Sequence, residues 1–374
     1  MPAKYSINLF VVVVVTAISF YPGKHISAQQ ILPSLKEVFK KDFLIGAALS
    51  SMQIYEKDAG SVKLIPQQFN AVTAENVMKA AEIHPQWNVY QFEMADKLMD
   101  YAARYRMKVN GHTLVWHSQL PVFVQHMRDA DSVMRFFVDH INTVVGRYKG
   151  RIYSWDVVNE ALEEDGTLRR SIFLETLGED YIVNAFRLAQ KADPKAKLYY
   201  NDYNIEQPLK RAGVIALVKK IKAAGVRIDG IGIQGHWPYD AVPLQYIEES
   251  IQAFSSLGLE TMITELDLSV LPGPWERNEA DINKTAGWNE RMNPWPDALP
   301  DTVAQIQAKA YASLFTLLLK YNQQVSRITF WGVNDGQSWL NNWPIKGRTN
   351  YPLLFDRNFL PKHAFYSVIE TRRK

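Results

Sequence analysis

The chain has 374 residues, of which 47% are hydrophobic and 22% are charged, with a formal net charge of +3. This composition is that of a globular protein with enough apolar material to bury a core. Lys and Arg are scattered rather than gathered in a basic tract, so nucleic acid is not an expected partner.

The N-terminus has the pattern of an export signal. Lys4 is followed by an apolar run from Ile7 to Phe20 and then by small residues around Ala28. We expect a secretory signal peptide over residues 1–29, cleaved near Ala28 or Gln29. The apolar run is shorter than the roughly 20 residues of a typical membrane span, although an uncleaved anchor is the alternative.

Residues 30–374 are predicted to form one domain, since no Gly/Ser-rich or Pro-rich linker divides them. The chain contains no cysteine, so disulfides cannot stabilise the exported protein. These features predict a secreted or periplasmic protein with no membrane contact after signal cleavage. A monomer is the default expectation.

Short runs rich in β-branched and aromatic residues alternate with segments of helical periodicity. The eight runs begin at Phe43, Phe69, Lys108, Ile152, Lys197, Ile228, Glu260 and Arg327. The clearest helical segments begin at Gln91, Asp131 and Asp301. Eight strands alternating with helices predict the α/β class and a single (β/α)8 TIM barrel.

Nearly every predicted strand begins apolar and ends in polar residues. These strand ends are Glu75, His117, Glu160, Asn204, His236, Glu265 with Asp267, and Asn334 with Asp335. In such a barrel the carboxyl ends of the strands form the active-site face. Any single one of these residues could simply cap a loop, but seven polar endings together favour an active site.

Two of the endings supply a carboxylate pair. Glu160 stands in "WDVVNEAL" and Glu265 in "TMITELDLS", on the fourth and seventh predicted strands. Facing carboxylates perform glycoside hydrolysis when one stays protonated as the acid and the other stays charged. A chain from Asp267 through His236 to Glu265 would stabilise the charged partner. For His236 alone a structural role is at least as good an interpretation, but its position beside two acids favours the functional one.

Four motifs make the sequence similar to a known family. "GHTLVWHSQLP", "WDVVNEAL", "ITELD" and "WGVNDGQSW", in this order, resemble the family 10 glycoside hydrolases, chiefly endo-β-1,4-xylanases. The resemblance covers nearly the whole chain after the signal. It implies endo-hydrolysis of xylan by a retaining double displacement, with Glu160 as acid/base and Glu265 as nucleophile, and no cofactor or metal.

The resemblance also implies a set of sugar-binding residues. Asn159 would bond the sugar 2-hydroxyl, Gln234 would lie near the acid/base, and His236 would bond the nucleophile. Trp331 and Trp339 would form an aromatic lid, and Trp339 would exclude the hydroxymethyl group of glucose. The remaining contacts, on the glycone side, would come from Glu75, Asn76, Lys79, His112, Trp116 and Gln119.

The sequence departs from the family pattern in a long loop after the seventh strand, Leu271 to Pro300, which contains Trp275, Trp288 and Trp295. Long loops in compact domains are generally functional or disordered. This loop either shapes the aglycone subsites or packs on itself as a scaffold.

Three other functions fit parts of the pattern. A β-1,4-glucanase or aryl-cellobiosidase would use the same barrel with a glycone pocket that admits a hydroxymethyl group. A non-catalytic carbohydrate-binding barrel would lack one or both glutamates. A metal-dependent hydrolase would need several His and acidic ligands to converge, and the Trp, Asn and Gln neighbours suit sugar hydroxyls better.

Overall fold

A computed structural model of the chain describes residue 1, residues 32–275 and residues 280–373. The predicted signal peptide lies outside the described residues, apart from Met1. The compact unit that contains the barrel runs from Pro33 to Lys374. Within the described part of the chain, no helix has the combination of length and apolarity that a membrane crossing requires.

Nine parallel strand segments form one sheet that closes on itself. They are β1 (Leu44–Leu49), β2 (Ala71–Ala74), β3 (Lys108–Trp116), β4 (Ser154–Asn159), β5 (Lys197–Asp202), β6 (Gly230–Ile233), β7 (His236–Pro238), β8 (Glu260–Ser269) and β9 (Val325–Phe330). Each strand pairs with its neighbour in the barrel, and β6 and β9 both pair with β8. The predicted eight-position TIM barrel is therefore confirmed.

The sixth barrel position is broken into two segments. Strands β6 and β7 both pair with β8 and are separated by Gln234 and Gly235. Gly235 has a φ of +90°, and a Cβ there would lie 2.9 Å from Ile263 Cγ2. Because only glycine tolerates this conformation readily, the break is built into the sequence. It places Gln234 and His236 on either side of a bend at the barrel mouth.

Thirteen α-helical segments surround the barrel in the described residues. They are α1 (Leu35–Val38), α2 (Ser51–Ile54), α3 (Ala59–Gln68), α4 (Ala80–Ile83), α5 (Glu93–Arg104), α6 (Val122–Gln125), α7 (Ala130–Arg147), α8 (Ile172–Leu177), α9 (Tyr181–Ala192), α10 (Pro208–Ala223), α11 (Leu244–Ser256), α12 (Asp301–Lys320) and α13 (His363–Arg373). The three helices predicted from periodicity correspond to α5, α7 and α12.

The strands are buried on both faces, because helices cover the outside and side chains fill the barrel. All residues of β2, β4 and β6 are buried. This double burial explains why the strand sequences read as apolar runs rather than as alternating patterns. A polar residue at such a strand end has little freedom, so its position is set by the barrel.

The long loop after β8 is irregular apart from a short 3₁₀ turn at Glu290–Met292, and residues 276–279 lie outside the described chain. Part of it packs as a scaffold: Trp295 lies against the buried cluster formed by Val270, Val303 and Tyr351. The guanidinium of Arg348 donates to the backbone oxygen of Pro272 at 3.0 Å, which ties the start of the loop to the chain beyond β9.

Candidate active site

Two buried glutamates lie at the mouth of the barrel, one directly after β4 and one within β8. Glu160 directly follows β4 and has a φ of +54°, a left-handed conformation that is uncommon for a residue with a side chain. Glu265 lies in β8, where the register against β9 shifts between Ile263 and Leu266. Such irregularities redirect side chains. Both glutamates therefore depend on local departures from regular strand geometry.

The carboxylate of Glu160 receives hydrogen bonds from three side chains. Oε1 accepts from Gln234 Nε2 at 2.8 Å and from Asn159 Nδ2 at 3.2 Å. Oε2 accepts from the indole Nε1 of Trp116 at 2.8 Å. Burial raises the pKa of Glu160, and the nearby charge of Glu265 adds to this, while the bonds from Gln234 and Trp116 oppose it. The net effect favours the protonated acid.

Glu265 has the opposite tendency. Burial alone would raise its pKa, but the hydrogen bond from His236 and the charges of His112 and His236, together with Asn201, hold it below the usual value. Asn201 Nδ2 donates to Glu265 Oε1 at 2.8 Å, and His236 Nε2 lies 3.4 Å from Oε2. Glu265 is therefore stabilised as a carboxylate.

His236 connects Glu265 to a second carboxylate. Its Nδ1 lies 3.0 Å from Asp267 Oδ1, and β7 pairs with β8 so that His236 and Asp267 are opposite each other. Burial disfavours the imidazolium, but the charge of Asp267 and the bonds to both carboxylates raise the pKa of His236 to about 10. The structure thus contains the Asp267–His236–Glu265 chain, with a cation between two anions.

On one side of the glutamates the cleft is lined by residues that follow β2. Lys79 Nζ donates to Asn76 Oδ1 at 2.9 Å and lies 4.9 Å from the centre of the Trp116 ring. Burial lowers the pKa of Lys79, and the charges of Glu265, Glu75 and Glu160 oppose this. Donors and acceptors stand beside an aromatic face here, an arrangement suited to sugar hydroxyls.

Aromatic and imidazole rings line the same cleft. His112 Nδ1 lies 3.0 Å from Asp156 Oδ2, and the His112 ring meets Trp331 edge-on at 5.4 Å. Trp339 is held by a 2.9 Å bond from its Nε1 to Asp267 Oδ2 and by stacking on Trp343 at 4.6 Å. The tryptophans are therefore fixed in place and form walls of the cleft.

One cleft brings the predicted residues together. Its lining includes all the predicted catalytic and sugar-binding positions, namely Glu75, Asn76, Lys79, His112, Trp116, Gln119, Asn159, Glu160, Gln234, His236, Glu265, Trp331 and Trp339. Asp267 supports them from behind through His236 and Trp339. Ala280 and Ile282 of the long loop complete the lining.

Other strand-end residues do not line this cleft. His117 lies behind Glu160, where burial and the neighbouring Arg169 lower its pKa to about 4. Asn204 Nδ2 donates to Glu164 at 3.1 Å. Asp335 pairs with Lys362 at 3.0 Å. For these residues the structural interpretation of a polar strand end is the better one.

Asn201, which supports both glutamates, was not identified from the sequence. Asn201 donates to both Asn159 Oδ1 and Glu265 Oε1 at 2.8 Å. The run "YYNDYN" contains two asparagines, and the pattern of polar strand ends indicates Asn204, the last residue of the run. The pairing of Asn201 with Asn159 in the β4–β5 register could have identified it once the strands were aligned.

A closed parallel barrel with two unequal carboxylates in a polar cleft walled by tryptophan defines a glycoside hydrolase. The family model described as glycosyl hydrolase family 10 matches residues 34–371, and the chain belongs to this family. No three or more His, Cys, Asp or Glu side chains among the described residues are grouped as a metal site would require.

Curated relatives match over almost their whole length. The chain is 43% identical to endo-1,4-beta-xylanase A of Xylanibacter ruminicola over 90% of this chain and 93% of the relative. It is 44% identical to a beta-1,4-xylanase of Dictyoglomus thermophilum over 91% of each. A solved family 10 endoxylanase retrieved from a sugarcane soil metagenome is 40% identical, with a TM-score of 0.87 over 90% of this chain and 99% of that one.

Proposed function

We propose that the chain hydrolyses internal β-1,4-xylosidic linkages of xylan by a retaining double displacement. Glu160 is the acid/base and Glu265 the nucleophile. The observation that carries these roles is the opposite direction of the two pKa shifts, upward for Glu160 and downward for Glu265. Similarity to proteins named as xylanases supports the choice of substrate.

In the first step, Glu265 Oε attacks the anomeric carbon while Glu160 protonates the departing glycosidic oxygen. The C–O bond to the leaving sugar breaks and an ester to Glu265 forms, so the proton lost by Glu160 ends on the leaving hydroxyl. In the second step Glu160, now a carboxylate, takes a proton from water, whose oxygen attacks the same carbon and releases Glu265. Two inversions give net retention.

The surrounding residues would bind and orient the sugars. Asn159, held by Asn201, would donate to the 2-hydroxyl beside the nucleophile, a contact expected to strengthen in the transition state. Lys79 and its neighbours Glu75 and Asn76 would contact hydroxyls on the glycone side. Trp339 would cover the ring carbon that bears the hydroxymethyl group in glucose.

Product analysis on unsubstituted β-1,4-xylan tests this proposal. Short xylooligosaccharides with initial β-configuration, followed by NMR, are expected from the native chain. Glu265→Ala and Glu160→Ala should abolish or strongly reduce release, whereas Glu370→Ala, at an exposed glutamate on α13, should not. An initial α-product would rule out retention, and no product from xylan would direct the search to β-glucans and aryl glycosides.

We also propose that the protein is exported and acts as a monomer. The support for export is the order of Lys4, the apolar run and Ala28 in the sequence. Expression of the full chain in a bacterial host, followed by N-terminal sequencing of the exported protein, should show a start near residue 29 or 30. Retention of residues 1–29 in a membrane fraction would favour the uncleaved anchor.

A further inference from the structure

The loop after β8 reaches the back of the proposed acid/base through one ion pair. We propose that Asp281, carried by this loop, is a positioning residue that fixes the turn bearing Glu160 through Arg169. The inference rests on the proposed role of Glu160 and adds a function for the loop. It concerns Ala280–Asn283, a part of the loop that the structure describes.

Arg169 holds the chain around Glu160 from behind. Its Nε donates to the backbone oxygen of Glu160 at 3.0 Å, and its Nη2 donates to the backbone oxygen of Leu162 at 3.2 Å. Nη2 also donates to the hydroxyl of Tyr203 at 2.7 Å. Because the left-handed φ of Glu160 is intrinsically unfavourable, these bonds help to determine where its carboxyl group lies.

Asp281 completes the surroundings of the guanidinium. Its Oδ2 lies 3.4 Å from Arg169 Nη1, and its Oδ1 accepts bonds of 2.9 Å from both Nδ2 and the backbone nitrogen of Asn283. Asp281 is only 8% exposed. Since its neighbours Ala280 and Ile282 line the cleft, one short segment both walls the cleft and supplies a buried counter-charge.

Two other acids lie near Arg169, and their surroundings differ from those of Asp281. Glu163 Oε2 lies 3.7 Å from Arg169 Nη1, but the Glu163 side chain is 44% exposed. Water therefore screens its charge. Asp202 is fully buried, and its Oδ1 lies 3.1 Å from Lys210 Nζ, while its charge also acts on Arg169. His117 is neutral because burial and Arg169 lower its pKa to about 4. Of the two acids that form ion pairs with Arg169 among the described residues, Asp281 is therefore the buried one.

The pKa of Glu160 depends on the charges around it. It faces the negative charges of Glu265 on β8 and Asp202 on β5, and the positive charges of Lys79 after β2 and Arg169 after β4. Arg169 favours the carboxylate form of Glu160. Removal of the Asp281 charge makes the surroundings of Glu160 more positive, so the alkaline limb of the pH–activity profile should move to lower pH.

Leaving-group dependence separates positioning of the acid from a general structural role. Phenyl β-xylobioside needs protonation of its leaving group, whereas 2,4-dinitrophenyl β-xylobioside does not. General acid catalysis is typically worth 10²–10⁴-fold, so a displaced acid in Asp281→Asn should cost about tenfold in kcat/KM on the phenyl substrate. The dinitrophenyl substrate should change little, and Asp281→Glu should recover part of the loss.

Two controls make the result decisive. Asp297→Asn removes the same charge from an exposed position of the same loop and should leave both substrates unaffected. Glu160→Ala should show the full difference between the substrates, and its absence would overturn the acid role and the inference together. A different outcome is that Glu160→Ala shows the difference while Asp281→Asn slows hydrolysis of both substrates equally, or of neither substrate. In that case Asp281 does not position the acid.

Discussion

The side-chain nitrogen of Gln234 lies 2.8 Å from Oε1 of Glu160. Gln234 is the first residue of the break in the sixth barrel position, and its backbone nitrogen donates to Asp202 O at 3.1 Å. The break thus places the side-chain amide of Gln234 beside the carboxyl group of Glu160, which follows β4. A donor that can bond only an oxygen lone pair favours the ionised form, so Gln234 tempers the rise in pKa that burial imposes on Glu160.

Replacing Gln234 by leucine should move the alkaline limb of the kcat/KM profile upward. The variant removes a hydrogen bond to the charged form, so the pKa of Glu160 rises and the acid stays protonated to higher pH. A hydrogen bond to a charged group is worth about 1.5–3 kcal/mol, and one pKa unit corresponds to about 1.4 kcal/mol. We expect a shift of about one unit in the pH–rate profile on xylan.

Gln323→Leu is the matched control, because Gln323 is exposed and its one hydrogen bond among the described side chains is to Asn322. That variant should keep the native profile. A downward shift of the alkaline limb in Gln234→Leu would contradict the direction argued here.

Replacing His236 by glutamine should move the acidic limb of the same profile upward. The imidazolium, whose pKa is raised to about 10 by Asp267 and Glu265 despite burial, stabilises the Glu265 carboxylate. Without it the pKa of Glu265 rises, so the nucleophile is protonated at a higher pH. A hydrogen bond to a charged group is worth about 1.5–3 kcal/mol, and one pKa unit corresponds to about 1.4 kcal/mol. Losing the bond from His236 should therefore shift the acidic limb by about one unit.

His126→Gln, at an exposed histidine directly after α6, serves as the comparison for this experiment. Its kcat/KM should follow the native pH dependence. An unchanged acidic limb in His236→Gln would mean that Asn201 and His112 hold Glu265 ionised without help.

Much of the fold could be predicted because the barrel imposes one simple pattern on every strand. Strands buried on both faces must be apolar, and their carboxyl ends must turn polar where they reach the mouth. The runs that end at Glu160 and Glu265 show this transition clearly. The alternation of strands and helices then places both glutamates on the same face without any knowledge of contacts.

Some of the supporting residues could not be predicted, because nothing near them in the sequence indicates their distant partners. Asp281 meets Arg169 across 112 residues, and nothing local to either residue indicates the other. Asn201 acts through the register of β4 against β5, which is known only after strand pairing. The break at Gly235 was also missed, since an isolated glycine in a strand indicates a bulge without locating its consequences.

Replacing Trp339 by alanine should relax selection against glucosides. The ring is fixed by its bond to Asp267 and by Trp343, so it cannot move aside for a hydroxymethyl group. We expect the ratio of kcat/KM on aryl β-cellobioside to that on aryl β-xylobioside to rise by about tenfold, the effect of roughly one methylene-sized clash. Trp288→Ala, at a 57% exposed ring, should leave the ratio unchanged. An unchanged ratio in Trp339→Ala would place the selection elsewhere.

Stability should depend on the buried pair formed by Lys362 and Asp335. Lys362 Nζ lies 3.0 Å from Asp335 Oδ2 and also donates to the backbone oxygens of Tyr351 and Leu353 at 2.7 Å. Asp335 is completely buried. Lys362→Met leaves that acid without its cation, and removing one partner of a buried pair typically costs about 3–5 kcal/mol. Urea denaturation should show this loss as a lower midpoint.

The double variant Lys362→Met/Asp335→Asn distinguishes an unbalanced charge from lost packing. With no charge left to balance, it should recover part of the loss, because the penalty in the single variant comes mainly from the isolated carboxylate. Lys346→Met, at an exposed lysine, should shift stability by less than about 0.5 kcal/mol. If the double variant is no more stable than Lys362→Met, the cost lies in the bonds to Tyr351 and Leu353 instead.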